Sequence, residues 1–314
     1  MASLSKIPWK GDSMVDENHV ARLLPEAREM LDKSMEERIG YIRQDRWIPY
    51  PEADRILAKL EAFYNMPKKA RAPSMLLVGD SNCGKSSLVR RFLDMHPPTD
   101  GVYEAACSVY YLASCPPEPD EGRLYEEILQ DILIPFRYSD KPSKKMAEIE
   151  YQFELMGVRV IILDEIHNAM SGSSLKQRTF LNAIKNLHNT MQRPIVLVGT
   201  QEAQFVMTSD TQFASRFKME PLKRWDEDIE FQKFLAKLEL TLPFAKSSLL
   251  ASTDMSKSIY KRAESGCIGD FVDLVVEAAV LAINNGRERI TNKEIKECDF
   301  IPSSKKPPSE KLDK

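Results

Sequence analysis

Apolar residues recur along this chain in two rhythms. Three runs are short and continuous: Met75-Leu76-Leu77-Val78, Val160-Ile161-Ile162-Leu163 and Ile195-Val196-Leu197-Val198. Uninterrupted runs of this length read as strands buried on both faces of a sheet. A further strand is predicted over Val102–Leu112. Between these runs the apolar positions fall three and four residues apart, which predicts helices over 25–41, 52–64, 87–93, 123–133, 146–156 and 175–191. A polar helix precedes Phe213. From Pro221 onward no strand pattern occurs. Acidic residues at 226–228 open a helix with Phe231, Phe234, Leu235 and Leu238 on one face, and further helices are expected over 246–263 and 270–285. Gly266 and Gly269 allow a tight junction between those two. Thr291 is placed to cap a last helix over 292–298, with Glu294 at the reciprocal capping position.

This alternation followed by helices alone predicts an α/β core with a parallel sheet and then a small all-helical lid. Expected boundaries are an N-terminal arm and helix at 1–50, the core at 51–221, the lid at 222–300 and a tail of disordered composition at 301–314. Residues 1–20 read either as an extended arm or as a disordered terminus with no role.

Composition narrows the class without setting it. The chain is 43% hydrophobic and 29% charged over 314 residues, ordinary for a globular protein. A net charge of −3 argues against a wholly basic nucleic-acid coat, while leaving room for a local basic face. The five cysteines show no Cys-x-x-Cys spacing and the four histidines are scattered, so a zinc site is not expected. No apolar run approaches the roughly 20 residues of a membrane span. No membrane partner is expected, and the expected location is cytoplasmic.

The first chemical landmark follows the first strand. Gly79-Asp80-Ser81-Asn82-Cys83-Gly84-Lys85-Ser86, continued by Ser87, has the spacing Gly-x-x-x-x-Gly-Lys-Ser between a strand and a helix. There backbone N–H groups and a helix N-terminus converge on one anion, which is a phosphate-binding loop. Lys85 is expected to reach the β- and γ-phosphates of a bound nucleotide, and Ser86 to hold Mg²⁺. The second landmark ends the strand 160–163. Asp164 is expected to orient Mg²⁺, and Glu165 to polarise the attacking water. His167 reads as a structural neighbour. The strand 195–198 ends in Gly199-Thr200-Gln201, which is either a hydrogen-bonding turn or resembles the sensing strand end of AAA+ ATPases, where Thr200 or Gln201 would bond the γ-phosphate or the lytic water. Arg216, in Phe213-Ala-Ser-Arg-Phe217, is either a salt-bridged surface residue or an arginine that reaches the γ-phosphate of a neighbouring subunit. Trp47, Ile48 and Tyr50 either line the pocket of the base or anchor the arm. Arg123, Arg137, Lys141, Lys144 and Lys145 are candidates for sequence-independent DNA contact, with a solvated charged face as the alternative.

Taken in order, these elements resemble AAA+ ATPases. Arg38-Ile-x-x-Ile-Arg-x-Asp-Arg-Trp-Ile-x-Tyr-Pro, Gly199-Thr-x-Glu-Ala, Phe213-x-x-Arg-Phe and Leu222-x-x-Trp225 resemble the TniB/TnsC family of transposition ATPases. The resemblance implies an ATP- and Mg²⁺-dependent protein that assembles into rings or filaments on duplex DNA. It implies coupling between a TniQ-type target selector and a DDE transposase, with slow ATP hydrolysis driving disassembly. Many AAA+ lids carry a second sensing arginine near the Gly-rich junction; here Asp270 stands there instead. A helicase, a clamp loader and a signalling NTPase are the alternatives, and no strand-separating insertion is evident.

Overall fold

The computed structural model describes residues 15–100, 105–116, 120–170, 173–208 and 211–305. The chain divides into two compact units, one formed by Pro51–Lys223 and the other by the segments up to Tyr50 and from Arg224.

The first unit is built on a parallel sheet of β1 (Ser74–Val78), β2 (Val109–Leu112), β3 (Val160–Leu163), β4 (Ile195–Gly199) and β5 (Phe217–Pro221). Their spatial order is β2-β3-β4-β1-β5. The three continuous apolar runs are β1, β3 and β4, and every residue from Val160 to Leu163 and from Ile195 to Val198 is fully buried. Full burial of each such side chain contributes about 1.5–3 kcal/mol, which is why these strands take the centre of the sheet. Helices Lys85–Met95, Glu121–Asp131, Pro142–Leu155 and Ser174–Met191 connect the strands. Leu124, Ile128, Ile149, Phe180 and Ile184 from these helices join the sheet residues in one core.

Two strand expectations are revised. Of the sheet strand predicted over Val102–Leu112, residues 102–104 lie outside the described residues, Val109–Leu112 joins the sheet, and Ala105–Ala106 instead pairs antiparallel with Thr99–Asp100 in a short ribbon. The strand β5 carried no apolar signal, because only Phe217 of its five residues is buried. Its polar sequence and terminal Pro221 suit a sheet edge, where one row of backbone groups needs no partner. Glu220 fixes that edge to helix Pro51–Tyr64 by accepting from Arg55 at 2.9 Å and pairing with Lys59.

The second unit contains helices and no strand among its described residues. Phe231, Phe234 and Leu235 of helix Ile229–Glu239, Ile259 of helix Thr253–Ala263 and Phe271 and Leu274 of helix Ile268–Asn284 share a core with Leu23, Ala27, Leu31 and Ile42. The N-terminal helices therefore pack with the C-terminal ones. Residues 17–22 form a helix, rather than an extended arm, because Asp16 accepts from the His19 N–H at 3.0 Å and caps it. The single helix expected over 25–41 is interrupted. Lys33 is extended, and Ser34 starts a new helix with a reciprocal Ser34–Glu37 capping box. The predicted Thr291–Glu294 capping box is present. Arg38 is buried and gives Glu288 two hydrogen bonds, at 3.1 and 2.8 Å. The expected tail beyond residue 305 lies outside the described residues.

Candidate functional site

The site forms at the carboxyl ends of β1, β3 and β4, where an open parallel sheet presents its ligand crevice. Leaving β1, the loop 79–84 turns into helix Lys85–Met95. Gly79 lies against the chain leaving β5: a Cβ there would sit 2.8 Å from the Leu222 carbonyl oxygen. Gly84 has φ 88°, a left-handed conformation open to glycine, and it stands just before the helix. The loop is thus shaped by backbone constraints at both ends, and it turns directly into the N-terminus of that helix. Ser81, Asn82, Ser86 and Ser87 are exposed, Asp80 is half-buried and Cys83 is buried.

Lys85 is half-buried and folds back, giving hydrogen bonds to the carbonyls of Gly79 at 2.8 Å and Asp80 at 2.7 Å. Burial holds its pKa below the usual lysine range, while the Asp164 and Asp80 carboxylates counter that drift. Asp164 is buried, and burial pushes its carboxyl up; the Glu165 N–H at 2.7 Å and the Tyr111 hydroxyl at 3.1 Å oppose the shift. Glu165 has φ 50°, an uncommon conformation for a residue with a side chain. Its carboxylate is exposed and accepts from Ser114 Oγ and Asn168 Nδ2, each at 3.0 Å. Ser114 and Asn168 thus fix the carboxylate of the expected base. The spacing around Asp164 and Glu165 gave no sign of Ser114 or Tyr111, because Tyr111 lies on β2 and Ser114 two residues past its end, and both reach the acids only through strand pairing.

The sheet order decides where Thr200 sits. β4 lies between β1 and β3, and the Gly79 N–H donates to the Gly199 carbonyl at 3.3 Å. Thr200 therefore emerges beside the phosphate loop. Its Oγ1 is buried with no hydrogen-bond partner among the described residues, and His167 Nδ1 shares that condition. An orphaned buried hydroxyl costs about 1–3 kcal/mol, so a ligand acceptor at this point would relieve a real penalty. Gln201 is exposed on the first turn of the following helix. The cradle around Gly79, the amine of Lys85, the acids on β3 and the unpaired Thr200 hydroxyl fit a nucleoside triphosphate with a divalent cation. Ser86 and Asp164 are the residues suited to that cation.

Arg216 is not in this cluster. It precedes β5, its carbonyl accepts from the Ser74 N–H at 3.3 Å, and Ser74 is the first residue of β1. It stands at the amino end of the sheet, about 15 Å along the strands from the phosphate loop at 3.3 Å per residue. Its guanidinium donates to Asn189 Oδ1 at 2.7 Å. Ile48 is buried in the core of the helical unit, and Trp47 stacks on Tyr50 with centroids 6.4 Å apart. Asp270, in place of an arginine, accepts from Ser303 N–H at 3.2 Å and Ser303 Oγ at 2.7 Å.

The basic candidates divide by exposure. Arg123, Arg137, Lys141 and Lys144 are exposed, and Lys144 pairs with Asp140 at 2.9 Å. Lys145 is 3% exposed and committed to Glu126 and the Tyr138 carbonyl, so it has no surface to offer DNA. The helical period that buries Met146 and Ile149 turns Lys145 inward with them.

Sheet order, phosphate loop and paired acids define an α/β P-loop protein of the AAA+ kind. Cdc6p from Pyrobaculum aerophilum is similar in fold, with a TM-score of 0.57 and 16% identity over 79% of this chain and 67% of that chain. The Aeropyrum pernix ORC1 protein, in a structure with DNA, gives 0.57 and 14% over 82% of this chain and 68% of that one. The Aeropyrum pernix ORC2 protein, in ADPNP–ADP complexes, gives 0.54 and 13% over 82% and 70%. The chain belongs to the TniB family: the family model, described as bacterial TniB protein, matches residues 38–227. No curated protein matches it in sequence. Among the described residues no helix is long and apolar enough to cross a membrane.

Proposed function

We propose that this chain is an ATP-dependent regulator of DNA transposition that assembles on duplex DNA in its ATP-bound form. In this reading it couples a TniQ-type target selector to a DDE transposase and leaves DNA as ATP is hydrolysed. The observation that carries the reading is the split of the site: Lys85, Asp164, Glu165 and Thr200 meet at one end of the sheet, while Arg216 stands at the other. An arginine so placed serves a second copy of the chain, which ties hydrolysis to assembly.

ATP with Mg²⁺ supplies the phosphoanhydride bond and the cation that spreads its charge. Lys85 exchanges the carbonyls of Gly79 and Asp80 for phosphate oxygens. Ser86 and Asp164 would hold the cation. Glu165, fixed by Ser114 and Asn168, orients and polarises water, and the Thr200 hydroxyl bonds the γ-phosphate or that water. Asp270, occupied by Ser303, supplies no lid cation, which fits slow turnover. The ADPNP–ADP and DNA complexes of the Aeropyrum pernix proteins support nucleotide and DNA as ligands of this chain. Exposed Arg123, Arg137, Lys141 and Lys144 are the proposed phosphate contacts.

Negative-stain microscopy with ATP, Mg²⁺ and duplex DNA tests the reading. Rings or filaments are expected, longer-lived for Glu165→Gln. Monomers alone under these conditions would overturn it.

A further inference from the structure

Arg216 is presented by a rigid platform. Phe213 and Phe217, one turn apart around it, stack with centroids 4.1 Å apart and an interplanar angle of 9°, and both are buried. The Arg216 N–H donates to the Phe213 carbonyl at 3.0 Å, and its own carbonyl accepts from Ser74. Its main chain is therefore fixed from both sides. The guanidinium is not paired with a carboxylate among the described residues; its side-chain partner is Asn189, which lies in the last turn of helix Ser174–Met191. The neighbouring His188 is fully buried and gives Ala72 O a hydrogen bond at 2.8 Å; burial holds it below the usual histidine range, and the Arg216 charge adds to that. The hydrogen bonds of Ala72 and Asn189 oppose that shift.

We infer that Asn189 is the positioning residue that aims Arg216 at the phosphates of a second copy of this chain while leaving its charge intact. An amide oxygen accepts from the guanidinium and fixes its direction without adding a negative charge. A carboxylate at 189 would fix it equally well but would compete with phosphate for the same donors. The free charge is what an arginine acting on developing phosphate charge must bring. The inference rests on the reading of Arg216 as an intersubunit residue.

The test is steady-state ATP hydrolysis by the full chain with Mg²⁺ and duplex DNA. The variants are Asn189→Ala, Asn189→Asp, Arg216→Ala and the two doubles. Arg216→Ala should lower kcat on the order of a thousandfold. Each Asn189 variant should lower kcat roughly tenfold with KM unchanged, Asn189→Asp at least as much as Asn189→Ala. In the Arg216→Ala background both should change kcat by less than about twofold, because their effect runs through the arginine. Asn189 variants at the wild-type rate beside a crippled Arg216→Ala overturn the role of Asn189. So does an equal loss from them in the Arg216→Ala background. Arg216→Ala at the wild-type rate overturns the intersubunit reading itself.

Discussion

The ring of Tyr50 lies 5.0 Å, centroid to centroid, from that of Trp225. One residue ends the arginine–tryptophan segment before the core, and the other belongs to the Leu-x-x-Trp segment after it. Both also meet Phe234, at 6.3 and 5.2 Å. Two sequence motifs far apart in the chain thus close one aromatic cluster in the helical unit. Tyr50→Ala should cost about 3 kcal/mol by loss of buried aromatic surface. Urea denaturation of Tyr50→Ala, Trp225→Ala and the double should show a coupling of about 1 kcal/mol. Strict additivity would deny the contact an energetic role.

Arg38 and Glu288 form a second link of this kind, with side chains 2% and 6% exposed. Arg38 also donates to the Pro243 carbonyl at 2.5 Å. Removing one partner strands a buried charge, so Arg38→Met should cost about 3–5 kcal/mol. Arg38→Met with Glu288→Gln should recover part of that loss in chemical denaturation. A double variant less stable than Arg38→Met would contradict the pairing argument.

At the phosphate site, three variants should separate three roles. Lys85→Ala should abolish nucleotide binding. Glu165→Gln should bind nucleotide and fail to hydrolyse it. Thr200→Val removes an unpaired hydroxyl, so it should leave stability unchanged or higher while lowering kcat roughly a hundredfold. Binding of a fluorescent ATP analogue, read beside phosphate release, checks all three. Loss of nucleotide affinity by Glu165→Gln equal to that of Lys85→Ala would remove Glu165 from its role as base.

DNA affinity gives a test that sorts the lysines. Arg137→Ala and Lys141→Ala should each weaken binding to any duplex and reduce the slope of log K against log salt by about 0.9 per lost phosphate contact. Lys145→Met should lower stability by stranding Glu126, yet leave the salt slope unchanged. A slope altered by Lys145→Met would mean that the buried amine reaches DNA after all.

His19 offers a test by pH. It is buried, its Nε2 has no partner among the described residues, and burial first of all holds its pKa below the usual value, against Glu239 and Asp16. A histidine depressed in the folded state contributes stability that is complete above its unfolded pKa of about 6.5 and is lost as pH falls toward the folded value. As pH falls from 7.5 to 5.5, the amide-exchange protection of residues 17–42, taken against the intrinsic rate at each pH, should therefore fall. His19→Phe should flatten that dependence, and an unchanged dependence in His19→Phe would assign it to another group.

What the sequence determined by itself was whatever depends on neighbours along the chain. Buried strands announce themselves as continuous apolar runs. Caps such as Thr291–Glu294 span three residues, and a phosphate loop is one backbone turn between a strand and a helix. The whole of β1, β3 and β4, with Lys85, Asp164, Glu165 and Thr200 at their ends, was legible for that reason. The edge strand β5 was not, because a strand that buries one residue in five leaves no apolar pattern. Tertiary structure alone decided the rest. Strand order brought Thr200 beside Gly79 and set Ser114 and Tyr111 on the acids. It sent Arg216 to the far end of the sheet, onto Asn189. Helical phase turned Lys145 inward, and the helical unit joined Arg38 to Glu288. Each of these contacts closes a long loop of chain, and a local pattern carries no record of which distant residue will meet it.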